Sequence, residues 1–159
     1  LTFPLKIYQD MGLKIKKISK TSYEFNCKTL KPIKKISTKE FPGYPTDLQA
    51  QLIATQLKSA LKSKVVENIF ENRFIHIPEL RRFGANLSII GKTVTIHKTL
   101  NLFGAEVVAT DIRASFSLII AAMMSKGTTI INRIYHLDRG YEDFDLKLKK
   151  CGVNISRKK

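Results

Sequence analysis

Cysteine is scarce in this chain: Cys27 and Cys151 stand far apart, with no CxxC and no cluster of Cys and His. That excludes a disulfide framework and a zinc site and fits a reducing cytoplasm, with both cysteines expected as small buried apolar residues. Long apolar runs are missing too. The strongest, around Phe116 to Met124, is well short of the ~20 residues a helix needs to cross a bilayer, so no membrane span is expected. The opening residues, LTFPLKIYQD, lack the basic segment, apolar core and small-residue cleavage site of a secretory signal. They also lack an initiator Met, and the chain is expected to be a fragment. Acidic residues are few, 13 against 28 Lys and Arg, for a formal net charge of +15. Such a balance invites a polyanion partner. Yet the lysines are spread from Lys6 to Lys159, and no aromatic residues alternate with the densest part, Lys14 to Lys39, as a stacking platform requires. The expectation is a lysine-rich solvated surface that attracts small anions, without a nucleic-acid groove.

What the sequence does have is the composition of a globular domain, 159 residues with 43% hydrophobic and 26% charged, enough for one sizeable core. It also has a repeat. YQDMGLKI, LRRFGANLSI and LKKCGVNIS each end a short helical pattern on a glycine, Gly12, Gly84 and Gly152, which lie 72 and 68 residues apart. Glycine supplies the left-handed residue that stops a helix, and an alternating, strand-like run is expected after each. Lys and Arg in the last turn, such as Arg81, Arg82, Lys149 and Lys150, suit the negative end of the helix dipole.

Upstream, PTDLQAQLIATQLKSALKSKVVENIFENRF aligns with ATDIRASFSLIIAAMMSKGTTIINRIYHLDRG, so Asp47 and Asp111, 64 residues apart, are equivalent. The unit reads turn, long helix, strand (Val65 to Phe70, or Thr128 to Ile134), short helix and strand pair, a βαβαββ order with Pro78 near a helix start. The first long helix carries a stripe of Ala50, Ile53, Ala54, Leu57 and Leu61, with Gln49, Gln56 and Lys58 on its polar face. The second, Ile112 to Met124, is apolar nearly all round and must be enclosed by protein. The fold class is therefore α/β with helices inside. Three segments are delimited: a partial unit over 1–40, a full unit over 41–108 and a C-terminal unit over 109–159.

Both long helices open with Thr-Asp. Thr46 or Thr110 as N-cap, an acid in the first turn and Gln49 closing a capping box is one reading of those residues. Arg113 resists so simple an account. A cation in the first turn opposes the helix dipole by roughly 0.3–1 kcal/mol and calls for an anionic partner, either a nearby acid such as Asp111 or a bound phosphate or carboxylate. RIYHLDRGYE packs Arg133, His136, Asp138, Arg139 and Glu142 into one strand-to-helix junction, and IFENRF carries Glu71, Asn72 and Arg73 at the equivalent place. Polar groups recur where α/β folds build sites. His76, His97 and His136 are scattered without ligand spacing and are expected to be structural.

PGYPTDLQAQ, ENRFIHIPELRRFGA, ATDIRASFSLIIA and RIYHLDRGYE, in that order, closely resemble the C-terminal part of the UDP-N-acetylglucosamine enolpyruvyl transferase family, also called UDP-N-acetylglucosamine 1-carboxyvinyltransferases. The resemblance covers essentially the whole chain and is strongest from Phe41 to Asn154. It implies two domains, each an inside-out α/β barrel of three βαβαββ units, with the active site between them. It also implies the reaction, in which the enolpyruvyl group of phosphoenolpyruvate moves to the 3-hydroxyl of UDP-N-acetylglucosamine and phosphate leaves, the first committed step of peptidoglycan synthesis. No metal or cofactor is implied.

By the same resemblance, Asp47 contacts the sugar hydroxyl as its general base and Ile69 contacts the nucleotide sugar partly through its backbone. Arg113 and Arg139 bind the anionic groups of phosphoenolpyruvate, Asp111 is an acidic neighbour, and Arg73 is a cleft residue. The family's N-terminal Lys-Asn pair and its mobile loop with a catalytic Cys or Asp have no counterpart here, nor has the first domain or the opening strand of the second. The chain alone is therefore expected to be inactive, to bind nucleotide sugar weakly at best and to expose apolar surface. The rival reading within the same fold is the shikimate-pathway enolpyruvyl transferase (3-phosphoshikimate 1-carboxyvinyltransferase). A reading from another class is a basic nucleic-acid-binding module.

Overall fold

A computed structural model describes residues 2–59 and 61–158. In chain order it contains α1 (Thr2–Asp10), β1 (Lys14–Lys17), β2 (Tyr23–Asn26), β3 (Lys35–Ser37) and a 3-10 turn (Thr46–Leu48) that leads into α2 (Gln49–Thr55). Then come β4 (Ser63–Val66), α3 (Ile77–Arg82), β5 (Leu87–Ile90), β6 (Thr93–Ile96), β7 (Glu106–Val108), α4 (Ile112–Met124), β8 (Ile130–Asn132), α5 (Tyr135–Asp138) and α6 (Phe144–Lys150). Gly12, Gly84 and Gly152 close α1, α3 and α6 with φ of 99°, 86° and 87°, the left-handed conformation that only glycine adopts freely.

One four-stranded sheet runs β3-β4-β6-β5. β3 and β4 are parallel, Ile36 opposite Val65, and α2 is the crossover between them. β6 pairs antiparallel with β4 and β5. The segment β3-α2-β4-α3-β5-β6 is thus one complete βαβαββ unit. A second crossover repeats its start: β7 and β8 are parallel, Val107 opposite Ile131, with α4 between them. β1 and β2 form a separate antiparallel hairpin. Among the described residues the three sheets do not close into a barrel, so the architecture is α/β, of the repeat type expected, and incomplete.

The two crossover helices pack along each other. Leu52, Ile53 and Leu57 from the first and Leu118 and Ala121 from the second share a core with Val65, Val94 and Ile96 of the sheet and Leu80 and Phe83 of α3. Each of these side chains larger than alanine, fully buried, contributes about 1.5–3 kcal/mol. A smaller cluster of Ile119, Leu137 and Phe144 holds α5 and α6 against α4. Among the described residues no helix is long and apolar enough to cross a membrane.

Several expectations need correction. The first long helix stops at Thr55, and Leu61 lies beyond it, 66% exposed. Of its expected polar face only Lys58 is exposed, whereas Gln49 and Gln56 are 2% and 1% exposed, because sheet and helices enclose α2 on both sides. Gln56 compensates through its carbonyl, which accepts from the Ile33 N–H and the Ser63 hydroxyl, both at 3.0 Å. Among the described residues no strand follows Gly152. The strands after the long helices are also shorter than expected, Ser63–Val66 and Ile130–Asn132. Both cysteines are exposed; Cys27 follows a hairpin with no layer over it, and Cys151 caps a surface helix.

Candidate functional site

The site forms where the starts of α2 and α4 meet. Asp111 is the N-cap of α4: its Oδ1 accepts from the backbone N–H of Arg113 at 2.8 Å and of Ala114 at 2.9 Å. Neither Thr46 nor Thr110 caps a helix, and Gln49 closes no capping box. Asp111 Oδ2 meanwhile accepts from Arg113 Nη2 at 3.2 Å. The cation that opposes the helix dipole is thus offset by the acid that caps the same turn.

Asp47, the repeat equivalent of Asp111, caps nothing. It lies in the 3-10 turn before α2 with its side chain 72% exposed, and its Oδ1 is 3.3 Å from Arg73 Nη1 and 3.7 Å from Arg113 Nη1. Arg73 is mostly buried and lies over the Phe70 ring, 4.2 Å from its centroid, which fixes the guanidinium in place. The result is an accessible carboxylate between two constrained guanidinium groups, an arrangement able to accept a proton from a hydroxyl beside an anion.

Glu67, which sequence reasoning passed over, supports that carboxylate from below. It is 1% exposed. Its Oε2 accepts from the Thr46 hydroxyl at 2.8 Å, and its Oε1 accepts from the Thr38 hydroxyl at 2.8 Å and the N–H groups of Ile69 and Phe70 at 2.9 and 3.2 Å. One buried carboxylate therefore ties the end of β3, the turn of Asp47 and the segment of half-buried Ile69. The only sequence signal was a lone acid directly after the apolar residues of β4.

His76, expected to be structural, is buried at the start of α3 and lines the same narrow crevice as Thr46, Gln49, Arg73, Asp111 and Arg113. Burial pushes its pKa down to about 4, against the opposing influence of Asp111 and the Arg73 carbonyl, so the ring is neutral near pH 7. His97 shares a hydrogen bond of 3.0 Å with Ser88, and His136 packs on Tyr135 at 4.2 Å.

Arg139 stands outside this cluster. It is exposed at the C-terminal end of α5 and faces a second depression with Tyr141, Glu142, Asp145 and Arg157. Much of the charge in that junction is consumed internally. Arg157 reaches Asp138 at 2.6 Å and Asp145 at 3.0 Å, and its hydrogen bonds hold the Asp138 carboxyl below the usual range. Arg133 donates to the Tyr135 hydroxyl at 2.8 Å. The junction still approaches α4 closely: a Cβ on Gly140 would collide with the side chain of Ile112, next to Arg113.

Comparison with known proteins bears on this arrangement. A UDP-N-acetylglucosamine 1-carboxyvinyltransferase of Rhodopseudomonas palustris is 55% identical over 122 residues, 77% of this chain and 28% of that protein. One of Pelagibacter ubique is 53% identical over 77% of this chain and 29% of its own length. One of Campylobacter lari is 50% identical over 88% and 34%. The chain thus spans about a third or less of the curated relatives it matches. Among solved structures, the enolpyruvyl transferase NikO from Streptomyces tendae matches with a TM-score of 0.86 at 24% identity, over 98% of this chain and 36% of that one. EPSP synthase from Acinetobacter baumannii matches with 0.72 at 14%, over 97% and 36%. At such identities these two show the fold. Residues 1–148 match the family described as EPSP synthase (3-phosphoshikimate 1-carboxyvinyltransferase), and the chain belongs to that family.

Proposed function

We propose that this chain is most of the second domain of a UDP-N-acetylglucosamine enolpyruvyl transferase, built from units at 1–40, 41–108 and 109–159, and that it works with a first domain supplied from outside these residues. The reaction moves the enolpyruvyl group of phosphoenolpyruvate to the sugar 3-hydroxyl. A C–O bond forms to the sugar oxygen, the enol C–O bond to phosphate breaks, and the hydroxyl proton leaves through Asp47. Arg113 and Arg139 hold the carboxylate and phosphate of phosphoenolpyruvate, Arg73 and Asp111 orient Arg113 and Asp47, and Ile69 meets the nucleotide sugar. The setting is the bacterial cytoplasm and the pathway peptidoglycan synthesis.

The observation that carries this reading is the accessible Asp47 carboxylate between Arg73 and Arg113, in a chain 50–55% identical to proteins named for that transfer. A second reading follows from the family's description, which names 3-phosphoshikimate instead. Co-expression with a matching first domain distinguishes them. Phosphate release from phosphoenolpyruvate should require UDP-N-acetylglucosamine, require both parts and collapse in Asp47→Ala. Turnover with shikimate 3-phosphate in its place would overturn the nucleotide-sugar assignment, and turnover by the chain alone would overturn the need for a partner domain.

A further inference from the structure

Two buried nitrogens beneath the site have no hydrogen-bond partner among the described residues, Nε2 of Gln49 and Nε2 of His76. The residues are 2% and 1% exposed and line the same crevice between the starts of α2, α3 and α4. An unpaired buried polar group costs about 1–3 kcal/mol, and two in one crevice point to a shared occupant. The crevice offers about 10 Å³ to the centre of a water molecule, roughly what a single water needs and too little for a larger ligand.

The two atoms are complementary. The Gln49 amide nitrogen can only donate. The His76 ring is neutral, and the Arg73 carbonyl beside it favours a proton on the ring. A proton on Nδ1 leaves Nε2 an acceptor. A donor and an acceptor that do not meet directly are what one water can join, accepting from the first and donating to the second. Its second proton remains for an acceptor lining the crevice, such as the Thr46 hydroxyl or the Asp111 carboxylate.

We propose that one ordered water bridges Gln49 Nε2 to His76 Nε2 and makes His76 a positioning residue for the Asp111–Arg113 pair. The charged groups around the ring are Asp111 and Arg113 on α4, Arg73 on the preceding loop and, through Arg113, Asp47. The water stands apart from the transfer reaction, whereas its catalytic importance rests on that reading.

Nitrogen-15 NMR of the His76 ring in the whole 159-residue chain tests the bridge. The expected result is a proton on Nδ1 and a hydrogen-bonded, unprotonated Nε2 that shifts in Gln49→Met while the other histidines do not. A proton on Nε2, or a resonance indifferent to Gln49→Met in a folded chain, overturns the proposal. Should that variant unfold, a cross-relaxation signal from a long-lived water to the Gln49 side-chain amide of the unaltered chain decides instead, and its absence counts against the bridge. In the reconstituted enzyme, His76→Phe should lower kcat roughly ten- to a hundredfold with KM for the nucleotide sugar little changed. An unchanged kcat removes the positioning role and leaves the water in place.

Discussion

The Asp47 carboxylate lies 3.7 Å from the Arg113 guanidinium, although the two residues open different crossovers. The internal repeat pairs Asp47 with Asp111, not with Arg113. The equivalent acids have diverged in use: Asp111 is committed to capping α4, and its capping leaves the guanidinium two residues on fixed beside Asp47. Asp47, relieved of capping, remains open to solvent and to a substrate.

That division of labour predicts a clean separation of activity from stability at Asp47. Asp47→Asn removes a carboxylate that is itself 72% exposed and leaves an amide oxygen for Arg73 to donate to, so the cost should stay near the ~0–1 kcal/mol of solvent-screened pairs and the urea midpoint of the chain should barely move. Phosphate release by the reconstituted enzyme should fall about 10²–10⁴-fold, the contribution of a positioned base. Equal losses of both would make Asp47 a structural residue.

Asp111 should behave in the opposite way. Asp111→Ala leaves two α4 N–H groups without their acceptor and should cost about 0.5–2 kcal/mol, read from urea unfolding. Asp111→Asn keeps a capping oxygen and should restore most of that stability while removing the negative partner of Arg113. If the Asn variant is as unstable as the Ala variant, the ion pair and not the cap carries the effect.

How far the site was legible in the sequence follows from the same chemistry. Gly12, Gly84 and Gly152 marked helix ends, because a left-handed turn imposes a residue type that can be read directly. Asp47, Arg73, Asp111 and Arg113 were legible through motif resemblance and lie together. Gln49 and Gln56 were misread: a polar residue off an apolar stripe is assigned to solvent, but α2 is covered on both faces and has no solvent side. Glu67 went unseen since its role depends on four donors from three separate segments. No local pattern encodes such a convergence.

Glu67 consequently invites its own test. Glu67→Gln replaces an acceptor-only group by one that presents an N–H₂ to some of the four donors now satisfied. A loss of about 1–3 kcal/mol is expected. Hydrogen exchange should quicken first at Ile69 and Phe70, whose N–H groups Glu67 accepts. Uniform quickening across the chain would show that Glu67 supports the whole fold and does not specifically hold the segment beside Asp47.

The buried ring of His76 makes stability depend on pH. Its folded pKa of about 4 lies below the ordinary 6.5, so the unfolded chain binds the proton more readily. The contribution is fully present above pH 6.5 and is lost as pH falls towards 4, on the order of 3 kcal/mol across the window. Asp111 opposes the shift, while Arg73 and Arg113 are also at hand in the crevice. Urea midpoints between pH 7 and 5 should fall in the unaltered chain and flatten in His76→Asn. An equal slope in both would assign the effect to other groups.

Gly140 connects the Arg139 segment to α4. A Cβ there would collide with the Ile112 side chain, at the residue before Arg113. Ile112 is 36% exposed, so its side chain can yield, but only by turning away from the α5–α6 junction or by pushing that junction outward. Gly140→Ala should therefore cost less than the ~1–3 kcal/mol of an overpacked core, and should weaken phosphoenolpyruvate binding by the reconstituted enzyme. Ile112→Ala removes the obstructing atoms. Combined with Gly140→Ala, it should recover most of the binding and leave a coupling energy of about 0.5–3 kcal/mol in a double-mutant cycle. Strict additivity would mean that the Arg139 segment and the start of α4 are set independently, and that Arg139 takes its place from α5 and α6 alone.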